Sequence, residues 1–435
     1  MRIIHLMKWL LFSFSFLIFS QTLHAQRYLS EYDSTVFVRD TLRTFLKRME
    51  NLHFSGYIQP QYQVAGSKGA DSYEGGSFSD SAANRFMIRR ARIRMDYLLP
   101  SKNRRNPLAM FAFQFDVTER GVVARDVFLR LFEPASQRFS IAAGLLARPF
   151  GFEVNLSSSF RETPERGRMS QILMPSERDL GAMVTYESRN AGGKKPLIKW
   201  DIGVFNGQGL SASTDFDSYK DVISRLTLKP YALGNDFTIS GGLSLLYGGW
   251  LQSTKYEYET VSSGNSKYFQ VDSSEENVGN KAPRHYYGAD VQLAKKHGWG
   301  KTEIRGEYWR GSQPGTASST VNPGALPLTP TYIRNFDGAF IYFLQNIISN
   351  KWELMAKYDW YDPNTEARGL EVGATNLTEG DVRFSTLGFG LTHYLTDKLR
   401  VLAYYSRVKN EGTSLSKYAN DLDDNVFTLR MHLRF

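Results

Sequence analysis

The sequence predicts an all-β fold: a transmembrane antiparallel β-barrel of about 16 strands, with a constriction loop and a short N-terminal helix. Two observations predict the barrel. Sixteen segments alternate apolar and polar residues, and their connections alternate between short turns and long polar loops, except for a short connection at 118–122. Successive side chains of a strand point to opposite faces, so each segment has one apolar and one polar face. Short turns on one rim with long loops on the other are typical of outer-membrane barrels.

The first 25 residues have the pattern of a secretory signal peptide. Arg2 and Lys8 give a basic start, and the apolar run from Trp9 to Ser20 is too short to span a bilayer as a mature helix. We therefore expect cleavage after Ala25 and export to the outer membrane of a Gram-negative bacterium. Without the two basic residues the formal net charge of +9 becomes 9 − 2 = +7. On an exported chain this excess favours anionic solutes over nucleic acid.

Residues 26–52 differ in character from the rest and precede a barrel domain at 53–435. Asp40 is a candidate N-cap for a short amphipathic helix on the periplasmic side. The segment could pack beside the first strand or plug the pore, and the sequence leaves both possibilities open. Its apolar residues recur at steps of three and four, as one helix face requires: Leu42, Phe45, Leu46, Met49 and Leu52.

Sixteen alternating segments follow, each near the ~9–11 residues of a tilted membrane strand. The last one ends on Phe435, and an aromatic end of this kind resembles the insertion signal of bacterial outer-membrane barrels. An even number of strands closes the sheet without edges, as lipid requires. The predicted strands are 54–64, 85–99, 107–117, 123–133, 138–148, 179–188, 196–206, 219–229, 236–249, 285–296, 299–310, 332–345, 351–361, 382–395, 398–409 and 425–435.

Aromatic residues lie near the ends of these strands, as the interfacial girdles of a membrane barrel require. The sequence therefore predicts that they face the lipid headgroup region. They are Tyr57, Tyr97, Trp200, Trp250, Trp309, Trp352, Trp360, Tyr394 and Phe435.

The second predicted strand carries a row of arginines. Arg90, Arg92 and Arg94 alternate with apolar residues. An arginine at the lipid midplane costs ~2–4 kcal/mol but little in a wet lumen, so this row should face inward. Side chains cannot fill a sixteen-stranded barrel, so we expect an aqueous lumen. The same reasoning makes three further arginines candidate anion-binding residues of the lumen: Arg130, Arg148 and Arg225.

The connection from Phe150 to Arg178 is the second concentration of arginine. Its apolar content is too high for a free external loop, so part of it should fold into the barrel and narrow it. Phe160 or Ile172 should then lie against the wall. At least one of its first three arginines should face the water path. The constriction-loop arginines are Arg161, Arg166, Arg168 and Arg178.

Sequence motifs for catalysis and cofactor binding are missing. The chain has no cysteine, which excludes thiol catalysis, thiolate metal sites and disulfides. It contains neither His-Glu-x-x-His nor Gly-x-Ser-x-Gly, and its histidines are dispersed. We therefore expect no enzyme activity, no cofactor and no metal site.

Five separated pieces resemble the phosphate-selective porins O and P of bacterial outer membranes: RRARIRMDY, GLLARPFGFEV, SERDLGAMV, DIGVFNGQG and SRLTLKP. They occur in order across nearly all of the chain after the signal. The resemblance implies a homotrimer of sixteen-stranded barrels with a basic, anion-conducting lumen. The family often has lysine before Pro-Phe-Gly, where this chain has Arg148. By position the resemblance places Arg90, Arg92, Arg94, Arg148 and Arg225 in the lumen and Arg161 and Arg178 in the loop.

Three functions remain open at this stage. The first is an anion-selective channel for phosphate or polyphosphate-like small anions, which pass by diffusion along lumen arginines. The second is a general non-selective porin in which aspartates such as Asp96 and Asp126 cancel the basic rows. The third is a structural or adhesion barrel plugged by residues 26–52. The expected partners are small inorganic anions, outer-membrane lipid and two further copies of the chain, with no nucleic acid.

Overall fold

The computed structural model describes residues 50–101, 106–187, 197–212, 214–264 and 266–435. Nearly all of them belong to one unit, Phe54–Phe435. The expected signal peptide lies outside these residues, and so does the predicted helix apart from residues 50–52. Within the described ranges, no helix is long and apolar enough to cross a bilayer.

The described chain forms eighteen β-strands, and sixteen of them make one closed antiparallel barrel. Each predicted strand matches one barrel strand, which confirms the predicted fold. The barrel strands are β1 Leu52–Ala65, β2 Asn84–Pro100, β3 Pro107–Thr118, β4 Gly121–Phe132, β5 Phe139–Ala147, β6 Arg178–Glu187, β7 Ile198–Phe205, β8 Asp221–Leu233, β9 Phe237–Leu251, β12 Lys281–His297, β13 Gly300–Gly315, β14 Thr331–Ile347, β15 Ser349–Asp362, β16 Phe384–Tyr394, β17 Leu399–Asn410 and β18 Val426–Arg434.

The barrel closes by pairing its first strand with its last. β1 and β18 run antiparallel, with Gln61 opposite Arg430. Beyond the end of β18, the N–H and C=O of Phe435 bond to the backbone of Gly56 at 2.9 and 3.2 Å. The start of β1 and the end of β18 therefore share the rim that carries the short turns, as the alternation of turns and loops predicted.

The two faces of each barrel strand follow the predicted alternation. On β2, Ile93 and Leu99 are half exposed on the outer face, while Arg90 and Arg92 are buried inside. Opposite rows of this kind are required where one face meets lipid and the other meets a polar interior. The inward direction predicted for the arginine row is therefore confirmed.

Two expectations about the interior are wrong. Tyr57, Trp250 and Trp309 do not belong to an outer girdle, because all three point inward and are buried. Trp309 packs edge-on against Phe150 of the loop between β5 and β6, with ring centroids 4.7 Å apart. The lumen is also not simply water-filled, because this loop brings its own apolar residues. With inward residues of the wall they form a core that includes Ile172 and Phe205.

A hairpin that the sequence analysis did not predict stands on the long-loop rim. β10 Glu257–Ser263 and β11 Ser266–Asp272 pair with each other, and β10 adds a short parallel pairing to the start of β14. Tyr258 of the hairpin stacks on Tyr332 of β14 at 4.4 Å. Phe269 joins a cluster with loop residues Leu377 and Tyr418. These long loops therefore form a packed cap.

Candidate functional site

The candidate site is the constriction loop, residues 148–177 between β5 and β6. Most of its residues are buried inside the barrel, which confirms the predicted constriction loop. Its one short helix, α1, spans Arg168–Leu173. Ile172 is buried against the interior core, as predicted, whereas Phe160 is 57% exposed.

The loop enters the barrel through the Pro-Phe-Gly piece. Gly151 has φ +68°, and a Cβ there would lie 2.8 Å from the Trp309 ring and also clash with the Glu307 carboxylate. Glu307 instead accepts the backbone N–H groups of Phe152 and Glu153, both at 2.9 Å. Only glycine combines this backbone conformation with such a close approach. Gly151 therefore fixes where the loop turns inward.

Glu165 ties the middle of the loop to two barrel strands. Its carboxylate lies 2.7 Å from Arg89 Nε and 2.6 Å from Arg90 Nη2, both on β2. Arg430 of β18 lies 3.2 Å away. Burial alone would raise the pKa of Glu165, but the three guanidinium groups hold it well below its usual range. The carboxylate thus stays ionised and holds the loop across the junction of β18, β1 and β2.

Two more loop carboxylates hold the loop to the wall formed by β13, β14 and β15. Glu162 accepts both terminal nitrogens of Arg305 at 2.8 and 2.9 Å. Glu153 accepts the Tyr342 hydroxyl at 2.7 Å and lies 3.6 Å from Lys357 Nζ. Burial raises the pKa of Glu153, but Lys357 and other cations outweigh it and leave the pKa below its usual value. The loop is therefore fixed by ion pairs on several sides.

The predicted arginine row is compensated by carboxylates. Arg90 pairs with Glu165, and Arg92 lies 3.1 Å from Asp116. Arg94 bonds Asp96 at 2.8 Å and Asp126 at 2.7 Å. The structure thus brings the three arginines to one wall, and each has an acidic neighbour.

Four other predicted site arginines also have carboxylate neighbours. Arg225 lies 2.7 Å from Asp290, and Arg178 lies 2.9 Å from Asp126. The contacts of the two loop arginines are longer: Arg166 lies 3.5 Å from Glu177, and Arg168 lies 3.8 Å from Asp424. Burial lowers the pKa of Arg166 to about 10.

The remaining three predicted arginines bond to neutral oxygens. Arg130 donates to the hydroxyls of Ser140 and Thr185 at 3.1 and 3.3 Å. Arg148 donates to the carbonyl of Ser176. Arg161 donates to the carbonyl of Leu156 at 3.2 Å, and its Nε and Nη1 have no hydrogen-bond partner among the described residues.

The first long loop contributes a residue that the sequence analysis missed. Glu74 lies between β1 and β2, and its Oε2 is enclosed without a hydrogen-bond partner in the described structure. Burial raises the pKa of Glu74 to about 7, although Lys357 acts in the opposite direction. The carbonyl of neighbouring Tyr73 accepts Gln171 of α1 at 2.9 Å. The tip of this loop therefore lies against the constriction loop.

In the described structure the interior includes an upper chamber, a lower cavity and a narrow gap beside the chamber. An upper chamber of about 670 Å³ lies under the cap and is lined by Tyr73, Arg168 and Phe384. A gap of about 20 Å³, lined by Glu74 and Arg166, opens beside it. A lower cavity of about 210 Å³ lies at the short-turn rim. Arg168 thus faces the chamber, whereas Arg161 and Arg166 line neither cavity.

Other features limit the chemistry of the site. In the part of the chain that the structure describes, no group of three or more His, Asp or Glu residues is placed to hold a metal ion. Three arginines that bind the loop carboxylates were not among the predicted site residues: Arg89, Arg305 and Arg430. Their inward direction could have been predicted, because each is an arginine on a predicted strand. Their partners could not be read from the sequence, because they lie far away along the chain.

No family profile and no curated protein sequence matches the chain. Among solved structures it is similar to OprB of Pseudomonas putida, at 8% identity and a TM-score of 0.56, over 92% of this chain and 97% of that chain. It is also similar to the outer-membrane channel DcaP of Acinetobacter baumannii, at 14% identity and a TM-score of 0.52, over 88% and 97%. At these identities the likeness establishes the fold, which is the barrel of outer-membrane channels.

Proposed function

We propose that the protein is an outer-membrane porin that lets small anions such as phosphate or polyphosphate-like ions diffuse through its lumen, without catalysing a reaction. The barrel, the inserted loop and the net charge of +7 expected without the signal peptide support this proposal. On the sequence resemblance we further propose that it belongs to the phosphate-selective porins O and P and forms a homotrimer. Light scattering of the detergent-solubilised protein would test the trimer.

The observation that carries the proposal is a set of interior guanidinium groups without a carboxylate within 4 Å in the described structure. Arg148 and Arg161 of the loop are two of them. Arg400 of β17 is the third: it bonds the carbonyl of Arg161 at 2.7 Å and Nδ1 of His432 at 3.0 Å. Arg400 also lines the lower cavity together with Arg434. Four Lys and Arg residues and three carboxylates line that cavity, which gives 4 − 3 = +1, so a positive excess remains available to a passing anion.

These groups suit transient binding of an oxyanion. Arginine stays charged at any cellular pH and offers a planar pair of donors that matches phosphate. Conduction requires several weak sites, because each must offset lost hydration and still release the ion quickly. Arg400 and Arg434 at the lower cavity, with Arg161 behind Arg400, would supply such sites on the way to the short-turn rim.

A general porin is the second candidate, and the pairing of the arginine row favours it. Arg90, Arg92 and Arg94 each lie within 3.1 Å of a carboxylate, which weakens the field of this row at a distance. A lumen with this arrangement would pass cations and anions with little discrimination.

Reversal potentials in a KCl gradient across planar bilayers distinguish the two candidates. We expect the wild-type protein to prefer chloride and Arg400→Gln to lose part of that preference. Arg310→Gln is the matched control, since this substitution removes the same charge from an exposed position on the outer face. A wild-type reversal potential near zero would exclude anion selectivity. Single-channel conductance near zero would instead support a plugged barrel.

A further inference from the structure

The upper chamber is a second candidate site, distinct from the loop anchors. Its wall shares Val382 and Tyr418 with the apolar cluster of the cap. In the cap, Tyr332 lies between Tyr258 at 4.4 Å and Phe269 at 5.0 Å. The apolar cluster beneath these rings includes Leu377 and Tyr418. Packed walls of this kind preorganise a site, and preorganisation reduces the entropy lost on binding. The volume of about 670 Å³ lies within the range of small-molecule sites.

The chamber wall combines aromatic rings with hydroxyl groups. Tyr73, Phe384 and Tyr418 line it, and Phe384 meets Tyr418 edge-on with centroids 6.1 Å apart. Ser72 and Ser319 are among the residues that supply hydroxyls on the same wall. Rings offer apolar faces to C–H groups, and hydroxyls both donate and accept hydrogen bonds. This combination suits a solute with apolar patches between closely spaced polar groups.

The charge of the chamber argues against an inorganic anion. Arg168 and Lys417 face the carboxylates of Asp71, Glu379 and Asp424, which gives 2 − 3 = −1. A phosphate ion would meet repulsion from three carboxylates and attraction from two cations. The selectivity expected of the chamber therefore differs from that proposed for the lower cavity.

Arg168 and Asp424 form the most strongly polar part of the wall. The guanidinium of Arg168 lies between the rings of Tyr73 at 4.6 Å and Phe384 at 3.9 Å, and its nearest carboxylate oxygen is 3.8 Å away on Asp424. Arg168 Nε and Asp424 Oδ1 have no hydrogen-bond partner among the described residues. Both side chains are more than nine-tenths buried. A guanidinium and a carboxylate with unused hydrogen-bonding capacity thus lie 3.8 Å apart at the chamber wall.

We propose that the upper chamber is a saccharide-binding site that holds a neutral mono- or disaccharide before it reaches the constriction. Vicinal hydroxyls of a sugar would accept from Arg168 and donate to Asp424. The C–H face of the sugar ring would lie against the aromatic wall at Phe384 and Tyr418. The proposal does not depend on ion selectivity, because a neutral solute is insensitive to the sign of the lumen charge.

Calorimetric titration of the detergent-solubilised full-length protein with maltose tests the site directly. We expect saturable binding at millimolar concentration, weakened at least tenfold by Asp424→Asn and by Phe384→Ala. Leu370→Ala is the matched control, since Leu370 is 71% exposed on a cap loop and does not line the chamber. Sodium phosphate and glycine, titrated in the same way, distinguish an anion site and a zwitterion site from a saccharide site.

Planar bilayers give an independent second measurement on the wild-type protein. Maltose should reduce the KCl current in a saturable manner, whereas glycerol should reduce it only in proportion to bulk conductivity. Absence of maltose binding to the wild-type protein would overturn the proposal, whether or not the variants fold. Saturable binding of phosphate or glycine without maltose binding would overturn it as well. Anion selectivity is measured separately, by reversal potentials. The proposed anion selectivity and the proposed saccharide site can therefore be refuted independently.

Discussion

Replacing Glu165 by glutamine tests whether the loop carboxylates set the field of the pore. Glu165 faces Arg89, Arg90 and Arg430, with contacts of 2.6 to 3.2 Å. The local charge is +3 − 1 = +2 and becomes +3 in the variant. At about 7 Å in water one unit charge contributes ~0.6 kcal/mol. Anion entry should therefore rise by a factor of ~3 and cation entry should fall by the same factor.

The same substitution should reduce stability, because it leaves the buried guanidinium groups of Arg90 and Arg430 and the partly exposed one of Arg89 with a neutral partner. Breaking a buried ion pair from one side typically costs ~3–5 kcal/mol. The pKa of Glu165 is lowered in the folded protein, so its contribution is present above the unfolded pKa and is lost as pH falls through the folded pKa. Glu165→Gln should therefore unfold at lower temperature at pH 7, with a smaller difference in strong acid.

Reversal potentials in a KCl gradient and thermal unfolding followed by gel mobility are the assays. Glu275→Gln is the matched control, because it removes the same charge from an exposed loop. There the carboxylate of Glu275 pairs with Lys255. If Glu165→Gln has the reversal potential and the unfolding temperature of the wild-type protein, Glu165 sets neither the field of the three arginines nor the stability of the loop. That result would refute both expectations.

Three further predictions concern single positions. Gly151→Ala should lower thermal stability and change the conductance more than Gly234→Ala, because both have positive φ but only the Cβ at Gly151 would clash; equal effects would contradict the role of Gly151 in loop entry. The pKa of Glu74 is raised to about 7, so anion preference should rise as pH falls from 8.5 to 5.5, and Glu74→Gln should be insensitive to pH; a wild-type profile flat with pH would contradict this. Tyr332→Ala removes the ring stacked on Tyr258 and should speed proteolysis within residues 257–272; an unchanged cleavage rate would show that this stack does not hold the cap.

The strands and the direction of their faces could be predicted because the rule is local. On β2, alternation of arginine with Ile93 and Met95 is enough to assign lipid and lumen, since lipid excludes the charged row. The inward fold of the constriction loop was also predictable from its apolar content. The predicted segments coincide with all sixteen barrel strands in the described structure.

The pairing of charges could not be predicted, because each partner lies far away along the chain. Arg90 meets a glutamate 75 positions later, and nothing in the local pattern of β2 indicates it. Trp309 looked like a girdle residue because it lies near a strand end, and only contact with Phe150 shows that it is internal. The position of Glu74 inside the barrel could not be predicted, because its loop contains few apolar residues. The cap hairpin has weak alternation and sits within a polar loop.

The strand junction at β18 and β1 has a consequence for assembly. Arg430 donates to Gln61, which is 369 positions away along the chain, and also to the carbonyl of Pro164 in the constriction loop. Contacts across such a separation form late, since the chain entropy of closing the intervening segment opposes them. Ring closure and the fastening of the loop then occur together. In a barrel that is still open at this junction, the constriction loop lacks its contact with Arg430. The width of the lumen is therefore set only in the last step of folding.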